Sequence, residues 1–139
     1  VRNPWDRLVS CYFHKFLEVR ESGGKDWIFG HLGDRLRLDM TFDEFIEAIS
    51  TIPDEWANEH FVSQWSRISY EGNLAVDQVI RFEQLQDEWR LLQDRFGFDD
   101  LPHANRTDHP HYRTLYSERN ALIVAERYGT DIRELGYSF

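Results

Sequence analysis

Proline at position 4 limits how this chain can fold more than any other residue. Its fixed φ suits the first turn of a helix, and its missing N–H would have had no partner there, so a helix is predicted to begin at Pro4. Leu8, Val9, Tyr12, Phe13, Phe16 and Leu17 follow at spacings of one, three and four, the pattern of a helix with one buried stripe. Ser22, Gly23 and Gly24 are predicted to stop it. Ahead of Pro4, Val1 reads as the end of a strand running into the helix, and on that reading the 139 residues are expected to be a piece of a longer chain.

Further along, residues 25–40 have no clean period and are read as a loop with a short helical turn. Thr41 with Glu44 is a capping-box pair, in which hydroxyl and carboxylate satisfy free backbone N–H groups at a helix start; Phe42, Phe45, Ile46 and Ile49 give that helix its apolar face. Pro53 is predicted to open another helical segment, with Trp56, His60, Phe61, Gln64 and Trp65 sharing one side. Gly72 and Asn73 mark a turn. Residues 76–82 predict the one interior strand, followed by a helix from about 84 to 96 that Gly97 ends. Ser117 with Asn120 opens the last long helix; Gly129 breaks it and Thr130 with Asp131 starts a final short one.

Composition narrows the functions. At 41% hydrophobic the chain can build one apolar core and is too short for two domains. Acidic residues outnumber basic ones by 25 to 16, a net charge of −9, so nothing draws polyanions to the whole surface and nucleic-acid binding is not expected. A single cysteine, Cys11, excludes an internal disulfide framework and a cysteine-rich zinc site, and suits a reducing, cytoplasmic interior. No stretch approaches the roughly 18 to 20 apolar residues of a membrane span.

Residues 1–12, VRNPWDRLVSCY, bring three anion-binding devices together. Arg2 offers a planar fork of donors suited to phosphate oxygens. The helix start adds free N–H groups and partial positive charge. Ser10 can donate a hydroxyl from the helix surface, and Arg7 lies one turn before it. On spacing alone an ordinary surface helix, with Arg2 and Arg7 paired to Asp6 or other acids, stays open and is slightly favoured.

RNPWDRLVSCY resembles the RxPxxRxxSxY signature with which sulfotransferases hold the 3′-phosphate of 3′-phosphoadenosine 5′-phosphosulfate (PAPS). The likeness continues through FDEFIEAI, NEHFVSQW, VIRFEQL, LPHANRT and TDIRELGYSF, which resemble successive landmarks of the carbohydrate-type sulfotransferases in the same order. It implies an α/β fold, a P-loop-containing nucleotide hydrolase-like architecture, of which residues 1–139 supply the C-terminal part of a single domain: mostly α, with one or two strands. It implies Arg2 and Ser10 as ligands of the 3′-phosphate, Arg7 as support, and Asn105, Arg106 and Thr107 around the nucleotide. The implied co-substrate is PAPS, without a metal, and the implied acceptor is a hydroxyl, of a carbohydrate. The family's turn for the 5′-phosphosulfate has no match here. Gly23, Gly24 and Lys25 follow a helix instead of joining a strand to one, so these residues alone are expected to transfer no sulfate; a parent with a missing N-terminal segment leaves a lumenal or membrane-anchored location open.

Sulfuryl transfer needs a base near the acceptor. His60, beside Glu59, is the candidate, against the alternative of a packed histidine bonded to a carbonyl. His103, His109 and His111 with Asp108 read as a solvated loop instead of a zinc site, Glu83 as a structural residue, and Trp56, Trp65 and Trp89 as core. Two other functions stay in view: a non-catalytic nucleotide-binding or helical interaction module, and a relative of the nucleotide kinases.

Overall fold

The computed structural model describes residues 1–21, 30–102 and 109–139, and these are mostly helical with one two-stranded sheet. Helix α1, Pro4–Cys11, starts where proline requires, and the Asn3 side chain caps it by accepting from the N–H groups of Trp5 (3.1 Å) and Asp6 (3.4 Å). It passes into a π-helical stretch, Tyr12–Phe16, and then α2, Leu17–Glu21. The predicted stop at residues 22–24 lies outside the described residues.

The predicted capping box forms. Thr41 N–H and hydroxyl both donate to the Glu44 carboxylate, at 2.8 and 2.9 Å, and α3 runs Phe42–Ser50 behind it. Its Phe45 and Ile46, both fully buried, join Trp5, Leu8, Tyr12, Phe16, Ile49, Val124 and Tyr128 in one core. Tyr12 stacks on Phe16 at 5.1 Å and meets Phe42 edge-on at 5.3 Å. Helix α6, Glu118–Arg127, capped by Ser117 as expected, packs across α3, where the Asn120 amide donates to Asp43 at 2.7 Å. Trp5 Nε1 reaches the Ala121 carbonyl at 3.0 Å, fixing α1 to α6.

Two expectations about regular structure fail. Residues 53–64 form turns instead of a helix because local side chains compete for the backbone: Asp54 accepts from Ser63 N–H at 3.1 Å and from the Arg127 guanidinium, and Asn58 accepts from His60 N–H. Only α4, Trp65–Ile68, is helical there. Trp56, expected in the core, is 60% exposed on those turns, and Trp65 and Trp89 are half-buried.

The predicted strand at 76–82 does not form either. Its backbone makes one rung, with the Val1 amine donating to Ile80 O (2.8 Å) and Phe82 N–H to Val1 O (2.7 Å), the slanted pattern of a parallel pair. A strand needs a partner along its length, and Val1 supplies a single residue of it. The strands that do form, β1 (Ser69–Tyr70) and β2 (Asn73–Leu74), pair antiparallel around Glu71 and Gly72, whose φ values of 50° and 80° suit a tight hairpin turn.

Helix α5, Leu85–Phe96, ends at Gly97 (φ 71°) as predicted. The last helix, α7, Gly129–Leu135, packs against α4 and ends at Gly136 (φ 66°).

Candidate functional site

Arg2 sits one residue before the cap of α1, and its main chain is held from two sides. Its N–H donates to Gln64 Oε1 at 2.7 Å, and its carbonyl accepts from Gln64 Nε2 at 2.8 Å. The next N–H, of Asn3, donates to Glu83 Oε1 at 2.7 Å, and the Asn3 amide reaches Ser138 O at 3.1 Å. The landmarks NEHFVSQW, VIRFEQL and TDIRELGYSF thus meet at the start of α1, though they lie between positions 58 and 139 of the chain.

The guanidinium is shaped by this anchoring. Nε donates to Asp6 at 2.7 Å, one turn into the helix, and the planar group lies 4.5 Å over the Phe82 ring. Among the described residues its two terminal nitrogens have no hydrogen-bond partner. The surface-helix alternative is therefore half realised: Arg2 does pair with Asp6, but through one nitrogen of three. Ser10 follows Asp6 by a further turn, so steps of four place Arg2, Asp6 and Ser10 along one side of the helix. The Ser10 hydroxyl has no partner among the described residues either. Asp6 opposes an anion there, and Arg2 and the helix start offset it.

Arg7 is turned to other work. Its Nη1 donates to Val62 O at 2.6 Å and Nη2 to Glu59 O at 2.7 Å, tying α1 to the turns at 59–62. Burial lowers its pKa, against the nearby Tyr128, Cys11, Asp131 and Asp54. It lines a cavity of about 420 Å³ with Glu59, Val62, Gln64 and Arg67.

His60 stands at the rim of the same turns. Its Nδ1 lies 2.5 Å from Asn58 Oδ1, an acceptor, so Nδ1 carries the proton and Nε2 presents a lone pair. Burial lowers its pKa, Glu59 raises it, and Lys15, Arg7 and His14 lower it further. The ring is thus held as a neutral imidazole with one basic nitrogen, bonded to a side-chain carbonyl on a turn instead of a helix. Asn105, Arg106 and Thr107 lie outside the described residues, as do His103 and Asp108. Among the described residues no three His, Cys, Asp or Glu side chains gather as metal ligands.

Gln64 and Asp131 are the parts that reading the sequence missed. Asp131, on α7 and fully buried, accepts from Ser63 Oγ (2.6 Å), Gln64 N–H (2.8 Å) and Trp65 N–H (2.8 Å), capping α4 from another helix. Glu83, expected to be structural, holds the Asn3 N–H and receives the Tyr137 hydroxyl at 3.4 Å. The only signal available was that the three polar residues fall inside the quoted landmarks.

Arg2 and Ser10 thus put a guanidinium and a hydroxyl along one side of α1 in a mostly helical domain. The family model described as "Sulfotransferase family" matches residues 1–135, nearly the entire chain, and the chain belongs to the sulfotransferase family. No curated protein and no solved structure is a match to it. Membership makes it part of an enzyme family that transfers sulfate. Among the described residues, no helix is long and apolar enough to cross a membrane.

Proposed function

We propose that residues 1–139 are the C-terminal part of a P-loop-type sulfotransferase domain that takes PAPS as donor and a hydroxyl, of a carbohydrate, as acceptor. The observation that carries this reading is the state of Arg2: main chain pinned on both sides, one guanidinium nitrogen on Asp6, and the terminal pair without a hydrogen-bond partner among the described residues.

Arg2 and Ser10 hold the 3′-phosphate of the nucleotide, with the dipole of α1 adding to its field; the expected free N–H groups of the first turn are instead taken by the Asn3 cap. Arg7 supports the site by fixing the 59–62 turns, and Asn105, Arg106 and Thr107 are the further nucleotide ligands that the family likeness implies. The acceptor oxygen attacks sulfur as the bond from sulfur to the bridging phosphate oxygen breaks in line, and 3′-phosphoadenosine 5′-phosphate (PAP) leaves. The hydroxyl proton passes to a base, for which His60 Nε2 is the candidate. No metal takes part in this scheme.

The test is turnover by the intact protein with radiolabelled PAPS and a panel of hydroxyl-bearing glycans. Labelled glycan and PAP are expected, with Arg2→Ala lowering kcat/KM for PAPS by about 10- to 150-fold, the range for a hydrogen bond to a charged group. Label transferred equally well by Arg2→Ala overturns the reading.

A further inference from the structure

Among the described residues, the side-chain amide of Gln64 is the one group that hydrogen-bonds both polar atoms of the Arg2 main chain. The two residues are 62 positions apart, so no local rule of helix or turn brings them together. We infer that Gln64 is a positioning residue for phosphate recognition: it sets the direction in which the Arg2 guanidinium leaves the backbone, and so keeps the terminal nitrogens turned toward the phosphate. The inference rests on the reading of Arg2 given under Proposed function and names the residue that makes that reading work.

The argument is geometric. Arg2 precedes the helix, and the helix ladder does not hold its N–H; Asn3 is the cap and supplies the first carbonyl, accepting from Arg7 N–H at 2.9 Å. One donor and one acceptor on Gln64 supply what the ladder does not, at 2.8 and 2.7 Å. Gln64 is itself immobilised, because its own N–H donates to the buried carboxylate of Asp131 at 2.8 Å. A chain of support thus runs from Asp131 through Gln64 to the main chain of Arg2.

Without the clamp, nothing on that side keeps Arg2 from turning and laying its fork across both oxygens of Asp6, the geometry guanidinium and carboxylate prefer. The arginine would then be neutralised by its neighbour in place of the ligand. The Arg2–Asp6 contact through Nε alone, at 2.7 Å, is what the clamp leaves available.

The chemistry of the amide supplies a test that a merely structural glutamine would fail. Glutamate has the shape of glutamine; when protonated it too presents one acceptor and one donor, and when ionised it presents acceptors only. Gln64→Glu therefore keeps the bond from Arg2 N–H at any pH, but sets an anionic oxygen against the Arg2 carbonyl unless the carboxyl is protonated. A carbonyl facing the group disfavours its ionised form and raises its pKa above the ordinary value of about 4.3.

The experiment is calorimetry on the intact protein with PAP and with 5′-AMP, at pH 8 and pH 5, for wild type, Gln64→Ala and Gln64→Glu. The readout is the ratio of the two affinities, each variant compared with wild type at the same pH so that titration of the 3′-phosphate cancels. Gln64→Ala is expected to lose about tenfold of the preference for PAP at both pH values, and Gln64→Glu to lose as much at pH 8 and to return to within about threefold of wild type at pH 5. A preference that both variants retain throughout overturns the clamp, and so does an equal loss in both at both pH values, which is the mark of a general structural defect. A wild type that does not prefer PAP to 5′-AMP overturns the underlying reading of Arg2 instead. Affinity for 5′-AMP, which lacks the 3′-phosphate, is expected to change by less than about threefold and reports that each variant is folded.

Discussion

Helices α1 and α5 are both amphipathic and each has one end marked by a single residue, Pro4 or Gly97, yet they end in opposite surroundings. Pro4, Trp5, Leu8, Val9 and Cys11 of α1 are buried within eight residues, whereas none of the twelve residues of α5 is buried and its Leu91 is 64% exposed. An apolar stripe states that a face can be covered; it does not state that anything covers it. The anion site proposed at Arg2 lies where the two regions meet, because Phe82 and Glu83, which lead into α5, touch Arg2 and Asn3. Its precision is therefore borrowed from the packed side and passed to residues whose other neighbours are few.

That contrast can be pressed with substitutions of falling effect. Phe45→Ala, in the packed region, is expected to cost about 3 to 5 kcal/mol in urea unfolding, the range for an aromatic truncated in a core. A cost below about 1 kcal/mol would show that this region is packed no better than α5. Asp131→Ala leaves Ser63 Oγ and the N–H groups of Gln64 and Trp65 without their acceptor, and about 3 kcal/mol is expected from the same measurement.

His60 gives an effect with a sign. Its folded pKa lies below the ordinary 6.5, chiefly through burial, so between the two values the unfolded chain binds more protons. Stability is then full above about pH 6.5 and falls as the solution is acidified toward the folded pKa. Wild type is expected to lose more stability between pH 7.5 and 5.5 than His60→Gln; equal losses would place the ring in ordinary solvent. The smallest effect belongs to α5, where Leu91→Ala should change stability by no more than about 0.5 kcal/mol. A larger loss would mean that α5 has a partner in solution.

What could be read from the sequence was what neighbours decide. Pro4 and Gly97 mark helix ends by their own φ, and the Thr41–Glu44 box closes within one turn, so these elements were legible. The same stretch of sequence names Arg2 and Ser10 as proposed phosphate ligands, and the structure sets them eight positions apart, one before α1 and one near its end. The strand expected at 76–82 does not form, since its composition is right but a strand also needs a partner, and Val1 alone supplies one rung. Nor does the helix expected from Pro53 form over 53–64, because Asp54 spends its carboxylate on Ser63 and Arg127 instead of capping. The clamp of Gln64, Glu83 and Asp131 is invisible to any spacing rule, since the residues it joins are 62 to 80 positions apart. Asn105, Arg106 and Thr107 were named by resemblance and lie outside the described residues.

The central claim is that Arg2 and Ser10 bind one phosphate group, and a ligand-by-mutant cycle addresses it most directly. Titrating PAP and 5′-AMP into the intact wild type, Arg2→Ala and Ser10→Ala isolates the contribution of the 3′-phosphate in each protein. The account predicts that each substitution removes about 1.5 to 3 kcal/mol from PAP binding and nearly nothing from 5′-AMP binding. Equal losses for the two nucleotides, or none for either, would contradict it.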